Sequence, residues 1–121
     1  MSTSTKETTS PSSAEIALPE VVLNYIAAAN DGRVEDAAAC FADDALVHDE
    51  NRDRQGLEAI REWIADSTRE FQPKNEVLSV KAEADSYTVV SNISGNFPGS
   101  PVDLEFRFVV DNVKISQLFI R

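Results

Sequence analysis

The chain has 121 residues and a mass of 13.3 kDa, enough for one hydrophobic core and too little for two independent ones. Its 21 acidic and 11 basic residues give a net charge of −10, a field that repels phosphate backbones and anionic membrane surfaces, so no nucleic acid partner is expected. With 42% hydrophobic and 26% charged residues the composition is globular, and no apolar run approaches the roughly 20 residues needed to cross a bilayer.

Residues 1–14 are rich in Ser and Thr and nearly free of apolar side chains, so they are expected to form a disordered leader to a single domain over 15–121. The start lacks the basic and apolar stretches of a secretory signal, and the lone Cys40 forms no internal disulfide, which together predict a cytoplasmic protein. Over residues 19–29, Val22, Tyr25, Ile26 and Ala29 recur at helical spacing, with Pro19 suited to a first turn and Gly32 to a stop. A second, short helix is predicted over 34–41, with Glu35 and Asp36 at the positive end of its dipole. Residues 45–49 read as a strand, and 51–55 as a polar turn that leaves room for a second short strand before Gly56. A third helix over 57–71 carries Ile60, Trp63, Ile64, Ser67 and Phe71 on one stripe and ends at Gln72 and Pro73. The rest is β-rich, with strands predicted over 76–84, 87–94, 102–110 and 114–120. The fold class is therefore α+β, with three N-terminal helices packed on one face of a curved, mostly antiparallel sheet and a pocket between them.

Tyr25, Gly32, the run Phe41-Ala42-Asp43-Asp44-Ala45, a strand ending in Asp49, then Gly56, Ile60 and Trp63 follow one another in an order with a known counterpart. This pattern resembles the ketosteroid isomerase and polyketide cyclase (SnoaL-like) branch of the nuclear transport factor 2-like superfamily. The match is close over the first half of the folded region and extends to the β half in strand pattern only. The resemblance implies a cone-shaped fold, a homodimer paired through the outer sheet face, and a pocket lined by Tyr25, Phe41, Val47, Asp49, Ile60, Trp63 and Ile64. It also implies roles. Asp49 falls where the isomerases keep the aspartate that moves a proton beside a carbonyl, which requires a carboxylate partly withdrawn from water. The residues alone also allow Asp49 to cap a turn or pair with Arg52 or Arg54. Tyr25 lies where the isomerases keep an oxyanion donor, although an inward tyrosine on a helix stripe serves packing equally well.

The second oxyanion donor of the isomerases, a protonated carboxylic acid on a late strand, has no counterpart here. Leu104 stands in its place, and strand alternation sends Asp103 and Glu105 to the opposite face. The Asp49-to-Gly56 connection is also shorter than in the isomerases, and Glu50 replaces their proline. His48, the only histidine, alternates away from Asp49; a distorted strand end would bring it into the pocket as a proton shuttle, and regular geometry makes it a surface or dimer-contact residue. His48, Asp49, Glu50 and Asp53 diverge along the chain with no paired-ligand spacing, so no metal is expected. No phosphate loop and no Gly-x-Ser-x-Gly occurs, so hydrolase and nucleotide-binding readings lack support, and the resemblance implies a protein without a cofactor. Cys40 beside three alanines reads as a small core residue. The 96–101 loop is stiffened by Pro98 and Pro101, and its Phe97 is a candidate lid, packing anchor or dimer contact.

Two functional readings follow. In the first, the pocket holds a small hydrophobic carbonyl compound, polyketide- or steroid-like, and the protein is a cofactor-free isomerase or cyclase working by Asp49 proton transfer with Tyr25 stabilising the enolate. In the second, the same fold is a non-catalytic ligand-binding or dimerisation module.

Overall fold

The computed structural model describes residues 18–121, and the leader expected over 1–14 lies outside the described residues. Helix α1 (Glu20–Asn30) buries Val22, Tyr25, Ile26 and Ala28 on one stripe, with Pro19 just outside its first turn. Helix α2 (Val34–Ala38) stops three residues short of the predicted end. The reason is tertiary: Ile115 N–H donates to the Cys40 carbonyl (2.9 Å), and Phe41 already pairs with Ile115 across the sheet. Strand β1 (Phe41–Asp49) thus begins four residues before the predicted 45, and its register slips between Phe41 and Leu46, where Asp43 and Asp44 stay exposed.

Glu50 and Asn51 take φ of 56° and 61°, the two left-handed positions of a type I′ turn, and fold β2 (Arg52–Gln55) back along β1. At the next corner Gly56 has φ of 91° and donates its N–H to the Ala45 carbonyl (2.8 Å), launching helix α3 (Leu57–Phe71) across the sheet. This helix spans the predicted residues. Strands β3 (Lys74–Glu83), β4 (Ser86–Ser94), β5 (Val102–Asp111) and β6 (Lys114–Ile120) complete one six-stranded sheet in the order β2-β1-β6-β5-β4-β3. The β1–β6 pair is parallel and all other pairs are antiparallel.

Strand alternation divides the sheet into two faces. The inner face presents Ala45, Val47, Val89, Phe106, Phe108, Leu118 and Ile120 to the helices, and with Ile60, Ile64 and the α1 stripe they form the core. The outer face carries Leu46, His48, Arg107 and Phe119, brought side by side by the pairings His48↔Phe119 and Arg107↔Phe119. Three helices lie on one face of a curved, open sheet, and the space between the β2 edge, α3 and the inner ends of β4 to β6 is left as a cleft. No described helix is long and apolar enough to cross a membrane.

Candidate functional site

The cleft is continuous around the β2 edge with a groove on the outer face lined by His48, Asp53, Arg107 and Phe119, and the two together have a volume of about 1380 Å³. Small-ligand sites run to roughly 300–1,000 Å³, so an open cleft of this size admits a drug-sized molecule. Its apolar wall includes Trp63, Ile64, Phe71, Ile93, Leu104 and Phe106.

Asp49 stands at the end of β1 on the inner face, two residues after fully buried Val47. Its Oδ2 accepts a hydrogen bond from Trp63 Nε1 at 3.2 Å. Burial pushes its carboxyl above the ordinary carboxylate range, the Glu50 charge adds to this, and the Trp63 hydrogen bond with the Arg54 charge opposes it. Asp49 is neither a free solvent-facing carboxylate nor one saturated by backbone amides, and it forms no ion pair within 4.0 Å among the described residues.

Tyr25 lies on the α1 stripe, edge-on to Phe41 (centroids 5.4 Å apart) and to Phe108 (5.9 Å), and it also lines the cleft. Burial holds its phenol far above its ordinary value, and the charge of Asp49 raises it further, so the hydroxyl stays protonated as a neutral donor. That coupling places Tyr25 and Asp49 in one electrostatic environment.

Trp63 and Ile64 share the cleft with these two residues. Phe41, Val47 and Ile60 do not line it. They are 2%, 0% and 0% exposed, sealed into the core behind the wall: Phe41 and Val47 from β1 and Ile60 from the sheet-facing stripe of α3. His48 faces the outer side, where its Nδ1 lies 2.6 Å from Asp53 Oδ1 and its ring lies beside Phe119, and it lines the outer-face part of the same cavity around the β2 edge. Arg107 also belongs to the outer face, over Phe119. Leu104 lies on the inner face opposite Ser91, while Glu105 pairs with Arg121 and Asp103 with Asn92 on the outer side. The stiff loop is clasped to α3: Asn96 N–H donates to the Phe71 carbonyl (2.8 Å) and Phe97 packs edge-on against Phe71 (5.9 Å) at the cleft wall.

Arg54 is the residue that reading the chain left in the background. It pairs across β2–β1 with Val47, so it belongs to the inner face, and its guanidinium carbon lies 6.0 Å from the Trp63 ring centroid. The signal was present in the period-2 alternation of β2 (Arg52–Gln55), but it became usable only with the hairpin register that the Glu50-Asn51 turn sets.

Three helices on a curved, mostly antiparallel sheet with an inner cleft make the cone fold of the nuclear transport factor 2-like superfamily. The model of the SnoaL-like domain matches residues 22–114, and the chain belongs to that family. It is similar to the structure of protein SMa1630 of Sinorhizobium meliloti, described as a candidate polyketide cyclase: 32% identity, 88% of this chain and 97% of that chain covered, TM-score 0.85. A protein of Catenulispora acidiphila described as having a ketosteroid isomerase-like fold shares 18% identity over 87% of this chain and 86% of that one, TM-score 0.76. The epoxide hydrolase/cyclase-like enzyme SalBIII of salinomycin pyran-ring formation shares 20% identity over 84% and 86%, TM-score 0.74. The last two share the fold.

Proposed function

We propose that the cleft binds a small hydrophobic carbonyl compound, polyketide- or steroid-like, and that Asp49 transfers a proton on it in a cofactor-free isomerisation or cyclisation. The observation that carries this is the Asp49 carboxylate itself, held at the cleft by Trp63 and raised in basicity by burial. A base of this kind takes a proton from the carbon beside a carbonyl, the electron pair moves onto the carbonyl oxygen, and the Tyr25 hydroxyl donates a hydrogen bond to the enolate. Protein SMa1630, the relative at 32% identity, supports the cyclase side of this reading by its description as a candidate polyketide cyclase.

The experiment compares the protein with Asp49→Asn on a panel of enolisable aryl and polycyclic ketones. Turnover should fall by about 10²- to 10⁴-fold, the usual contribution of a positioned general base. Equal turnover by both would overturn the assignment.

A second reading is favoured by Leu104, whose aliphatic side chain lines the cleft where the isomerases have their second acid donor. A pocket with one oxyanion donor suits a ligand-binding module without turnover. In that case both proteins bind the ketones and neither converts them. Either reading includes a homodimer through the outer sheet face and, given the single free Cys40, a reducing cytoplasmic setting. Sedimentation at micromolar concentration should give twice the chain mass, and a monomer mass would contradict the dimer.

A further inference from the structure

Arg54 poses an electrostatic problem that the proton-transfer reading does not use. Its side chain is only 13% exposed, and buried charge is costly unless it is paired and hydrogen-bonded. Nη1 donates to the Asp49 backbone carbonyl at 2.7 Å and to the Arg52 carbonyl at 3.5 Å, both neutral acceptors. Among the described residues, the one carboxylate within 4.0 Å is that of Glu50, 3.7 Å from Nη2 and 67% exposed, beyond hydrogen-bond distance. A guanidinium presents five donors in a planar fork, and most of this fork is left without a partner. It faces the cleft beside the Trp63 ring, in a chain whose net charge is −10, and it differs from the other arginines at the cleft, because Arg52 and Arg107 are exposed to solvent and Arg121 is paired with Glu105.

We propose that Arg54 is the anion-recognising residue of the cleft, so that the physiological ligand joins a carboxylate, or an equally charged oxygen pair, to its apolar body. The fork binds the two oxygens side by side, the Trp63 face flanks the adjacent apolar atoms, and the charge of Arg54 offsets the repulsion from Asp49. The inference rests on the cleft being the ligand site, and it narrows the substrate class to apolar oxo acids and related anions.

The test is calorimetric titration with 2-naphthoate and its neutral isostere 2-naphthamide. The native protein should bind naphthoate about tenfold or more tightly than naphthamide, the worth of a hydrogen-bonded charge partner. Arg54→Gln should bring the two affinities together while leaving naphthamide binding in place, which also shows that the variant is folded. Should Arg54→Gln fail to fold, Arg54→Lys serves as the second variant: it keeps the charge, loses the fork, and should show a reduced preference. Equal affinities in the native protein, an undiminished preference in Arg54→Gln or in Arg54→Lys, or no heat from either probe at millimolar concentration would each overturn the proposal. Asp49→Asn should keep or strengthen the naphthoate preference, so failure here is distinct from failure of the Asp49 assignment, which is read by turnover.

Discussion

Replacing Trp63 by Phe removes one N–H and leaves a ring in the wall, and it tests whether Asp49 is held by that donor. Nε1 lies 3.2 Å from Oδ2, a long bond to a carboxylate that lines an open cleft. Hydrogen bonds to charged groups are worth about 1.5–3 kcal/mol, and this length and solvent access place the bond near the lower end, about 1.5 kcal/mol. The single substitution also loses ring volume, so its raw cost mixes packing with the hydrogen bond. A cycle with Asp49→Ala separates them, because the packing loss is common to both backgrounds and cancels. The assay is urea denaturation at neutral pH, followed by circular dichroism because Trp63 is the sole tryptophan. Trp63→Phe should cost about 1–2 kcal/mol less in the Asp49→Ala background than in the native one. Additivity within about 0.5 kcal/mol would refute the claim that Trp63 positions the carboxylate.

Three further outcomes are expected. Because burial raises the Asp49 pKa above its unfolded value, its contribution to stability is fully present below that unfolded value and lost as pH rises through the native one; Asp49→Asn should therefore gain thermal stability relative to the native chain as pH rises above about 4, the ordinary aspartate value, and a pH-independent difference would contradict the burial account. Val113 is a β-branched residue at φ of 60° and 79% exposed, so Val113→Gly should stabilise the β5–β6 turn by about 1 kcal/mol, read as a higher Tm; an unchanged or lower Tm would count against strain at this turn. At Gly95 an added Cβ would lie 2.6 Å from the Phe71 carbonyl oxygen, so Gly95→Ala should cost about 1–3 kcal/mol by urea denaturation and loosen the Phe97–Phe71 contact; a loss under 0.5 kcal/mol would mean that the clasp tolerates displacement.

Local pattern carried the helices and the meander because each depends on near neighbours. The Ile60–Trp63–Ile64–Phe71 stripe and the Gln72-Pro73 stop delimit α3, and two-residue turns at 84–85 and 112–113 together with the proline-containing loop at 95–101 delimit the late strands. The start of β1 escaped notice for the opposite reason: Phe41 is drawn into the sheet by Ile115, over 70 residues away, and nothing in the alanine-rich run before it announces that pairing. At the site, alternation was enough to put Asp49 inside and His48 outside. Depth was not readable. Whether an inward side chain lines the cleft, as Trp63 does, or is sealed behind it, as Phe41, Val47 and Ile60 are, depends on how α1 and α3 lie across the sheet. Arg54 needed the hairpin register as well, since a shift of one residue would have sent it to the solvent face.

The most direct test of the central claim is the pH–rate profile of α-proton exchange into deuterated water, followed by NMR on an enolisable ketone that the protein binds. With Asp49 as the base, the rate should rise with pH along a single limb, with a midpoint above the ordinary carboxylate range, and the limb should vanish in Asp49→Asn. An unchanged limb in Asp49→Asn would contradict the assignment of Asp49 as the base.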